Sequence, residues 1–422
     1  MKIIVYRGTN QIGGTIIELS SKNTRIIFDV GEVLPTVSKY KRSKPVNRPS
    51  VAGLFNEDEN NIDGVFLSHG HGDHIGLLPF INASIPIFIG EKTCAVYNMI
   101  SRFTGANFFV RPSTFLEHTK PIIIGNFTVI PYLIDHSSYD AYAFIIYCEG
   151  KSVVYTGDIR EHGSKASLTR LFRRNLPIKI DALIMEGTML GRLDDESQTE
   201  KDIQFKATLF MKKIEGPILV LQSTVNIDRL VAMYHAAKKS GRLFVIDIFT
   251  ANILDVIGGS VSNIIRKSRV IYLNPMTDKM FKIYNEGALM NKFVHQKIQI
   301  AELNQLTNYC MLIRASMLGI LKNLNTTGGG FIYSKWSGYA DSDNVERVLQ
   351  YAKKNNMEVV SLHTSGHGDL SSLKKIAANC TPKRVIPIHT EYPERFKDSF
   401  DSVCIITQVW RKNFPGLSPA RL

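Results

Sequence analysis

The sequence predicts a layered α/β protein of two domains, one inserted in the other, and three observations carry that expectation. Apolar β-rich runs alternate with amphipathic helical stretches along most of the chain, as strands and covering helices do in a layered core. The 422 residues exceed the ~100–200 of a typical domain. Histidines and carboxylates recur where an apolar run gives way to a loop, the place where α/β sheets present functional groups.

Composition narrows the class. With 44% hydrophobic and 21% charged residues the chain is an ordinary globular protein. No apolar run approaches the ~20 residues of a membrane span, and Met1 to Arg7 is too short for a signal peptide and reads as a first strand. A soluble cytoplasmic protein without a membrane partner is expected. Cys94, Cys148, Cys310, Cys380 and Cys404 are scattered without a C-x-x-C pair, so they read as small buried hydrophobes in a reducing compartment. A net charge of +13 favours a polyanion such as nucleic acid; solubility charge with no partner is the bland alternative.

In chain order, Ile3 to Tyr6, Thr15 to Leu19 and Arg25 to Asp29 read as an antiparallel meander broken at Gly13-Gly14 and Ser20 to Asn23. Asp29, closing the third strand beside Gly31, reads equally as a turn residue and as an acceptor that orients a ligand histidine. Lys39 to Lys44 is a solvated or phosphate-facing loop. The apolar run Gly64 to Leu67 then launches Ser68-His69-Gly70-His71-Gly72-Asp73-His74. Three imidazoles and a carboxylate in a glycine-loosened turn suit zinc and can serve two adjacent ions, making this loop half of a dinuclear centre; a polar turn whose histidines satisfy one another is the alternative. A helix is expected from Ile75 and a strand over Ile85 to Ile89.

Strands over Phe127 to Ile130, Ala143 to Tyr147, Val153 to Thr156 and Leu183 to Met185 follow, with His136, Asp158 and Glu186 at or near strand ends. From about Thr199 the texture changes to a helix over Lys206 to Ile214, a strand over Ile218 to Leu221 and a helix over Leu230 to Lys239. The turn Gln222 to Arg229 between the last two, with Ser223, Asn226 and Arg229, offers either a phosphate-binding helix start or an ordinary N-cap. Leu243 to Phe249, Val270 to Leu273 and Phe331 to Tyr333 supply further strands. Residues 201 to 350 carry 19 Lys and Arg against 11 Asp and Glu, most of the chain's excess charge. Ser334-Lys335-Trp336-Ser337 mixes hydroxyls, a cation and an aromatic ring, which suits single-stranded nucleic acid; a buried Trp beside a turn is the plainer account. Strands over Glu358 to Leu362 and Arg384 to Ile388 lead into His363-Thr364-Ser365-Gly366-His367 and His389. His118, His162, His235 and His295 lack supporting context.

These residues together resemble the metallo-β-lactamase superfamily and, within it, the β-CASP nucleases of the ribonuclease J-like and compact mRNA 3′-end cleavage factor-like kind. His69, His71, Asp73 and His74 match the superfamily's H-x-H-x-D-H, with Asp29, His136 and Asp158 as companion motifs in the expected order. Glu186, His367 in Ser365-Gly366-His367 and His389 in Pro387-Ile388-His389 match β-CASP motifs A, B and C. Motif A is Glu186-Gly187-Thr188 where ribonuclease J carries aspartate, and the chain ends soon after motif C, without the C-terminal domain of full-length ribonuclease J.

The resemblance implies an αββα metallo-β-lactamase sandwich over 1–200 and 361–422, interrupted by an α/β β-CASP domain over 201–360. It implies two zinc ions, manganese being the alternative, one held by His69, His71 and His136, the other by Asp73, His74 and His389, with Asp158 bridging and Asp29 behind His74. A metal-bound hydroxide would attack phosphorus; Asp73 would serve as base or orienter and His367, held by Glu186, as general acid. Ser223, Asn226, Arg229, Ser334, Ser337, Ser365 and Gly366 are the expected substrate contacts. The implied activity is hydrolysis of single-stranded RNA, as exonuclease, endonuclease or both, by a chain able to form a homodimer. A thioester or lactone hydrolase and a DNA-directed nuclease are the alternatives, since a fold does not fix function.

Overall fold

The computed structural model describes residues 1–34, 47–55, 61–191, 198–272, 278–280, 282–406 and 420–421. The expected basic loop Lys39 to Lys44 lies outside them.

Among the described residues three sheets organise the chain. The first runs, edge to edge, Ala420–Arg421, Lys2–Arg7, Ile16–Ser21, Thr24–Phe28, Gly64–Phe66, Ile87–Gly90 and Thr114–Leu116. Its N-terminal strands form the antiparallel meander, and from Thr24–Phe28 onward the pairing is parallel. The second runs Val385–Ile388, Ala182–Glu186, Lys151–Tyr155, Ala141–Cys148, Phe127–Ile134 and Ile122–Ile124. These two sheets face each other across a core in which Phe28 and Phe66 meet Phe144 and Tyr155. Ile75, Leu78 and Cys94 cover the outer face of the first sheet, while Phe172, Leu373 and Phe396 cover that of the second. The αββα layering is therefore as expected.

The third sheet is wholly parallel and drawn from residues 218–361, in the order Lys297–Ile298, Arg269–Ile271, Leu243–Asp247, Tyr309–Ile313, Ile218–Leu221, Gly330–Tyr333 and Glu358–Ser361. Its strands are nearly continuous apolar runs because helices cover both faces, which gives two separate apolar cores. Met99 and Phe103, from the helix Glu91–Thr104 of the first sandwich layer, belong to one of these cores and weld the inserted domain to the sandwich.

Two local expectations are corrected, and one strand is added. The helix expected from Ile75 is a single turn, Gly72–Ile75, that carries Asp73 and His74 themselves, followed by a 3-10 turn at Leu78–Phe80. Pro79 sits in that turn, where its missing N–H prevents a longer helix. The strand expected to reach Phe249 stops at Asp247, whose side chain caps a helix over Ile248–Ile257 by accepting from the Thr250 amide. Tyr309–Ile313, buried at every position, is a strand that no expectation covered.

Three backbone hydrogen bonds hold the turn bearing Asp73. Thr15 N donates to the Asp73 carbonyl at 3.1 Å, Val30 N to that of His74 at 2.7 Å and Glu32 N to that of Gly72 at 3.0 Å. A Cβ on Gly31 would lie 1.7 Å from the Asp73 carbonyl oxygen, so only glycine fits. Gly31→Ala is expected to destabilise the protein by about 1–3 kcal/mol or more, as overpacking does. An unchanged urea midpoint would show that this backbone gives way freely.

Candidate metal centre

Strand ends deliver the side chains. Gly64–Phe66 leads into Ser68 and His69, Phe127–Ile134 into His136, Lys151–Tyr155 into Asp158, Ala182–Glu186 ends on Glu186, and Val385–Ile388 leads into His389. His389 adopts φ +50°, a left-handed turn fixed by its amide donating to the Gly8 carbonyl at 2.6 Å.

Three donor sets converge. His69, His71, His136 and Asp158 bring ligand atoms within 4.8 Å of one another, as do Asp73, His74 and His389, and so do Asp158, Glu186, His367 and His389. Asp158 Oδ2 lies 3.6 Å from His69 Nε2, 3.3 Å from His74 Nε2, 3.9 Å from His136 Nε2 and 3.7 Å from His389 Nε2. It stands between the two histidine sets.

In four of the rings the Nδ1 nitrogen is committed away from the centre. His69 Nδ1 meets Ser68 Oγ at 3.0 Å, His74 Nδ1 meets Asp29 Oδ2 at 2.8 Å, His136 Nδ1 meets the Gly366 carbonyl at 2.6 Å and His389 Nδ1 meets Thr188 Oγ1 at 2.8 Å. The opposite nitrogens face the centre, where they could bind a metal ion. His71 Nδ1 sits 3.1 Å from both His69 Nε2 and His136 Nε2, a contact of three nitrogens that a cation between them would satisfy.

Electrostatics agree. Burial pushes the pKa of His69 and His136 well below the usual imidazole value and that of His71 to about 4, so these rings are neutral ligands. Burial would lower His74 too, but the charges of Asp158 and Asp29 outweigh it and raise its pKa. Burial alone would raise the carboxyl pKa of Asp73 and Asp158; the surrounding histidines instead hold both below the usual carboxylate range. Both oxygens of Asp158 and Nε2 of His74 are buried without a hydrogen-bond partner. An ionised carboxylate stripped of water and of donors is costly, and bound zinc is the partner that this nitrogen and oxygen donor set suits.

Asp29 is the orienting acceptor rather than a mere turn. It takes hydrogen bonds from Ser68 N at 2.7 Å, Ser68 Oγ at 2.8 Å, His74 Nδ1 and the Tyr155 hydroxyl. Glu186 differs from Asp158 in being saturated by protein donors: Ile159 N at 2.9 Å, Gly368 N at 3.4 Å, Thr188 N at 3.3 Å and His367 Nδ1 at 3.0 Å. Burial disfavours the His367 imidazolium, yet the charges of Glu186 and Asp158 together raise its pKa.

The expected substrate contacts divide. Ser223 and Ser337 are exposed at the carboxyl ends of the paired strands Ile218–Leu221 and Gly330–Tyr333. Asn226 is an ordinary N-cap, accepting from the Arg229 amide at 3.1 Å. Arg229 and Ser334 point inward: the guanidinium is fully buried on Glu200, with Ser334 Oγ 2.6 Å from Nη1. Ser365 Oγ accepts from the His367 amide at 3.0 Å, and a Cβ on Gly366 would meet Ser137 Oγ at 2.7 Å. His162, without context in the sequence, is buried with Nε2 2.9 Å from the Ser365 carbonyl; no local signal announced it.

Comparison with known proteins agrees with this geometry. Residues 41–203 match the β-lactamase superfamily domain, and residues 354–401 match a Zn-dependent metallo-hydrolase RNA specificity domain. The chain belongs to the metallo-β-lactamase superfamily, in its ribonuclease J-like branch. Among relatives, ribonuclease J 2 of Streptococcus pyogenes is 21% identical over 93% of this chain and 70% of its own length. Ribonuclease J of Mycobacterium tuberculosis is 22% identical over 92% and 68%, and that of Helicobacter pylori 21% identical over 93% and 56%. A solved structure of an Enterococcus faecalis V583 protein of unknown function shares the fold at a TM-score of 0.76, with 22% identity, covering 96% of this chain and 98% of that one. This metallo-β-lactamase-fold chain is thus a metal-dependent hydrolase, and among its described residues no helix is long and apolar enough to cross a membrane.

Asp29→Asn is expected to weaken zinc binding about 10- to 100-fold, as loss of a partner behind a ligand histidine does. Competition with a chromophoric chelator measures it, and unchanged affinity would return Asp29 to a turn role.

Proposed function

We propose that this chain is a zinc-dependent ribonuclease that hydrolyses phosphodiester bonds of single-stranded RNA at a two-zinc centre, from the 5′ end, internally or both. The observation that carries the reading is the Glu186–His367 pair, a saturated carboxylate holding an imidazole at 3.0 Å, at the rim of a converged ligand set. The relatives' name and the RNA specificity domain matched at 354–401 supply the substrate class. A small-molecule thioesterase or lactonase needs the metals but has no use for this pair.

His69, His71 and His136 would hold one ion, and Asp73, His74 and His389 the other, with Asp158 shared. When bound, the metal pair supplies a water of lowered pKa and neutralises charge on the phosphate. His367 has Nδ1 committed to Glu186, so Nε2 faces substrate and delivers a proton to the leaving 3′ oxygen. Asp73, held ionised, accepts from and orients the attacking water. Ser223, Ser337 and the half-buried Lys335 and Trp336 mark where a single strand meets the inserted sheet.

Purified protein with zinc or manganese is expected to degrade end-labelled RNA and to leave thioester and lactone substrates intact; the reverse pattern would overturn the reading. Sizing products from RNAs with 5′-triphosphate, monophosphate or hydroxyl ends separates end-dependent trimming from internal cutting. His71→Ala should abolish activity, with fewer than two zinc ions per chain by elemental analysis. His367→Ala should cost about 10²–10⁴ in kcat while retaining zinc.

The pH profile carries a sign. Because the His367 pKa is raised above the usual imidazole value, the acid stays protonated to higher pH than a free imidazole would, and the rate falls as pH rises through that raised value. Glu186→Gln removes the largest of the charges that raise this pKa, so this alkaline limb should move to lower pH. An unmoved limb would separate Glu186 from the acid.

A further inference from the structure

The segment that returns the chain from the third sheet to the sandwich, Leu362 to Gly366, presents carbonyls held by side chains from both domains. The Leu362 carbonyl accepts from Ser334 Oγ at 2.6 Å and Arg229 Nη1 at 3.2 Å, and that of Thr364 from Arg229 Nη2 at 3.4 Å. The Ser365 carbonyl accepts from Arg160 Nη1 and His162 Nε2, both at 2.9 Å. Arg160 belongs to the sandwich and Arg229 to the helix Ile227–Lys239 of the inserted domain, yet they share one carboxylate. Glu200 Oε2 lies 2.8 Å from Arg229 Nε, and its Oε1 lies 3.2 Å from Arg229 Nη2 and 3.4 Å from Arg160 Nη1. Asp228 takes Arg160 Nη2 at 2.8 Å and Lys165 at 3.0 Å, and Lys165 also donates to the His136 carbonyl at 3.1 Å. Both guanidiniums are fully buried.

Buried charges are an inefficient way to hold two domains together, since apolar side chains of the same volume often do it as well. What an apolar side chain cannot do is donate to a run of carbonyls and so fix a loop's position along several directions at once. The fixed loop ends two residues later in His367.

We infer that Arg160, Glu200 and Arg229 form a cross-domain clamp that sets His367 over the metal centre, acting as positioning residues for protonation of the leaving group. The inference rests on the ribonuclease reading above. In the step concerned the oxygen of water bonds to phosphorus and the P–O3′ bond breaks with its electron pair on O3′. His367 Nε2 gives its proton to that oxygen, and the proton lost by water restores the imidazolium over the cycle. Misplacement by about 1 Å costs on the order of 100-fold in rate.

The test uses full-length zinc-loaded protein and two matched RNAs, one natural and one with sulfur in place of the bridging 3′ oxygen at the cut linkage, whose thiolate leaves without a proton. Arg229→Lys keeps the charge but loses the fork. It is expected to lower kcat about 100-fold on the oxygen substrate, to leave the sulfur substrate within a few-fold of wild type, and to leave KM and zinc content unchanged. The paired replacement Arg229→Met with Glu200→Met removes both charges, keeps the fold should Arg229→Lys fail to accumulate, and should show the same discrimination. Equal losses on both substrates, or a raised KM with unchanged kcat, would overturn the clamp; the latter would make Arg229 an RNA contact. His367→Ala is the control for the underlying reading. If it too loses rate equally on both substrates, the general-acid role fails, whereas discrimination by His367→Ala without discrimination by the clamp variants refutes the clamp alone.

Discussion

Asp158 is a carboxylate without a protein donor, and the site is built around that fact. Its Oδ2 stands within 3.9 Å of ring nitrogens from His69, His74, His136, His367 and His389, and neither oxygen makes a hydrogen bond. Folding such a group into the interior is tolerable only if cations complete it. Of the five imidazoles, those of His69 and His136 are held neutral by burial, while the charge of Asp158 helps to raise the pKa of His74 and His367. A bound metal would bring further positive charge to Asp158, and binding it would add to the stability of the folded sandwich.

That requirement explains why the ligands arrive on strand ends. Register in a paired sheet fixes a residue's height to a fraction of the ~3.3 Å strand rise. Parallel pairing of Ala182–Glu186 with both Lys151–Tyr155 and Val385–Ile388 brings Asp158, Glu186 and His389 to one edge. The facing sheet brings Asp29 and the Ser68 to His74 loop to the same edge through pairing of Thr24–Phe28 with Gly64–Phe66. Asp29 and Tyr155 then join the two sheets behind His74, so the sandwich core and the metal site are one construction.

How much of this could be read from the sequence follows from distance along the chain. The Ser68 to His74 cluster is local, and Asp158 and His389 advertise themselves because an apolar run precedes each. Arg160, His162 and Glu200 do not: each looks like a solvent-facing polar residue, yet each is buried against a partner 29 to 205 residues away. Arg229 was legible as a basic residue at a helix start, but whether it turned outward to phosphate or inward to Glu200 depends on a partner in another element. Secondary structure failed for similar reasons. Leu243 to Phe249 is apolar throughout, and only the Asp247 side chain, bonded to the Thr250 amide, marks the change from strand to helix.

Glu186 and His389 are linked through Thr188, the third residue of Glu186-Gly187-Thr188. The Thr188 hydroxyl lies 2.8 Å from His389 Nδ1, 3.1 Å from the His389 carbonyl and 3.1 Å from His367 Nδ1. One hydroxyl has a single hydrogen to give. With a metal ion held by Asp73 and by His389 Nε2, which lie 3.1 Å apart, Nδ1 of His389 would carry the hydrogen and donate to Thr188. The hydroxyl hydrogen then goes to the His389 carbonyl, and Nδ1–H of His367 goes to Glu186, with Thr188 as its second acceptor. With the metal bound, this assignment satisfies all the groups at once. It would keep a lone pair on the Asp73-facing nitrogen of His389 and a hydrogen on the Glu186 side of His367, so a single threonine would separate the proposed ligand from the proposed acid although both are histidines 5.3 Å apart.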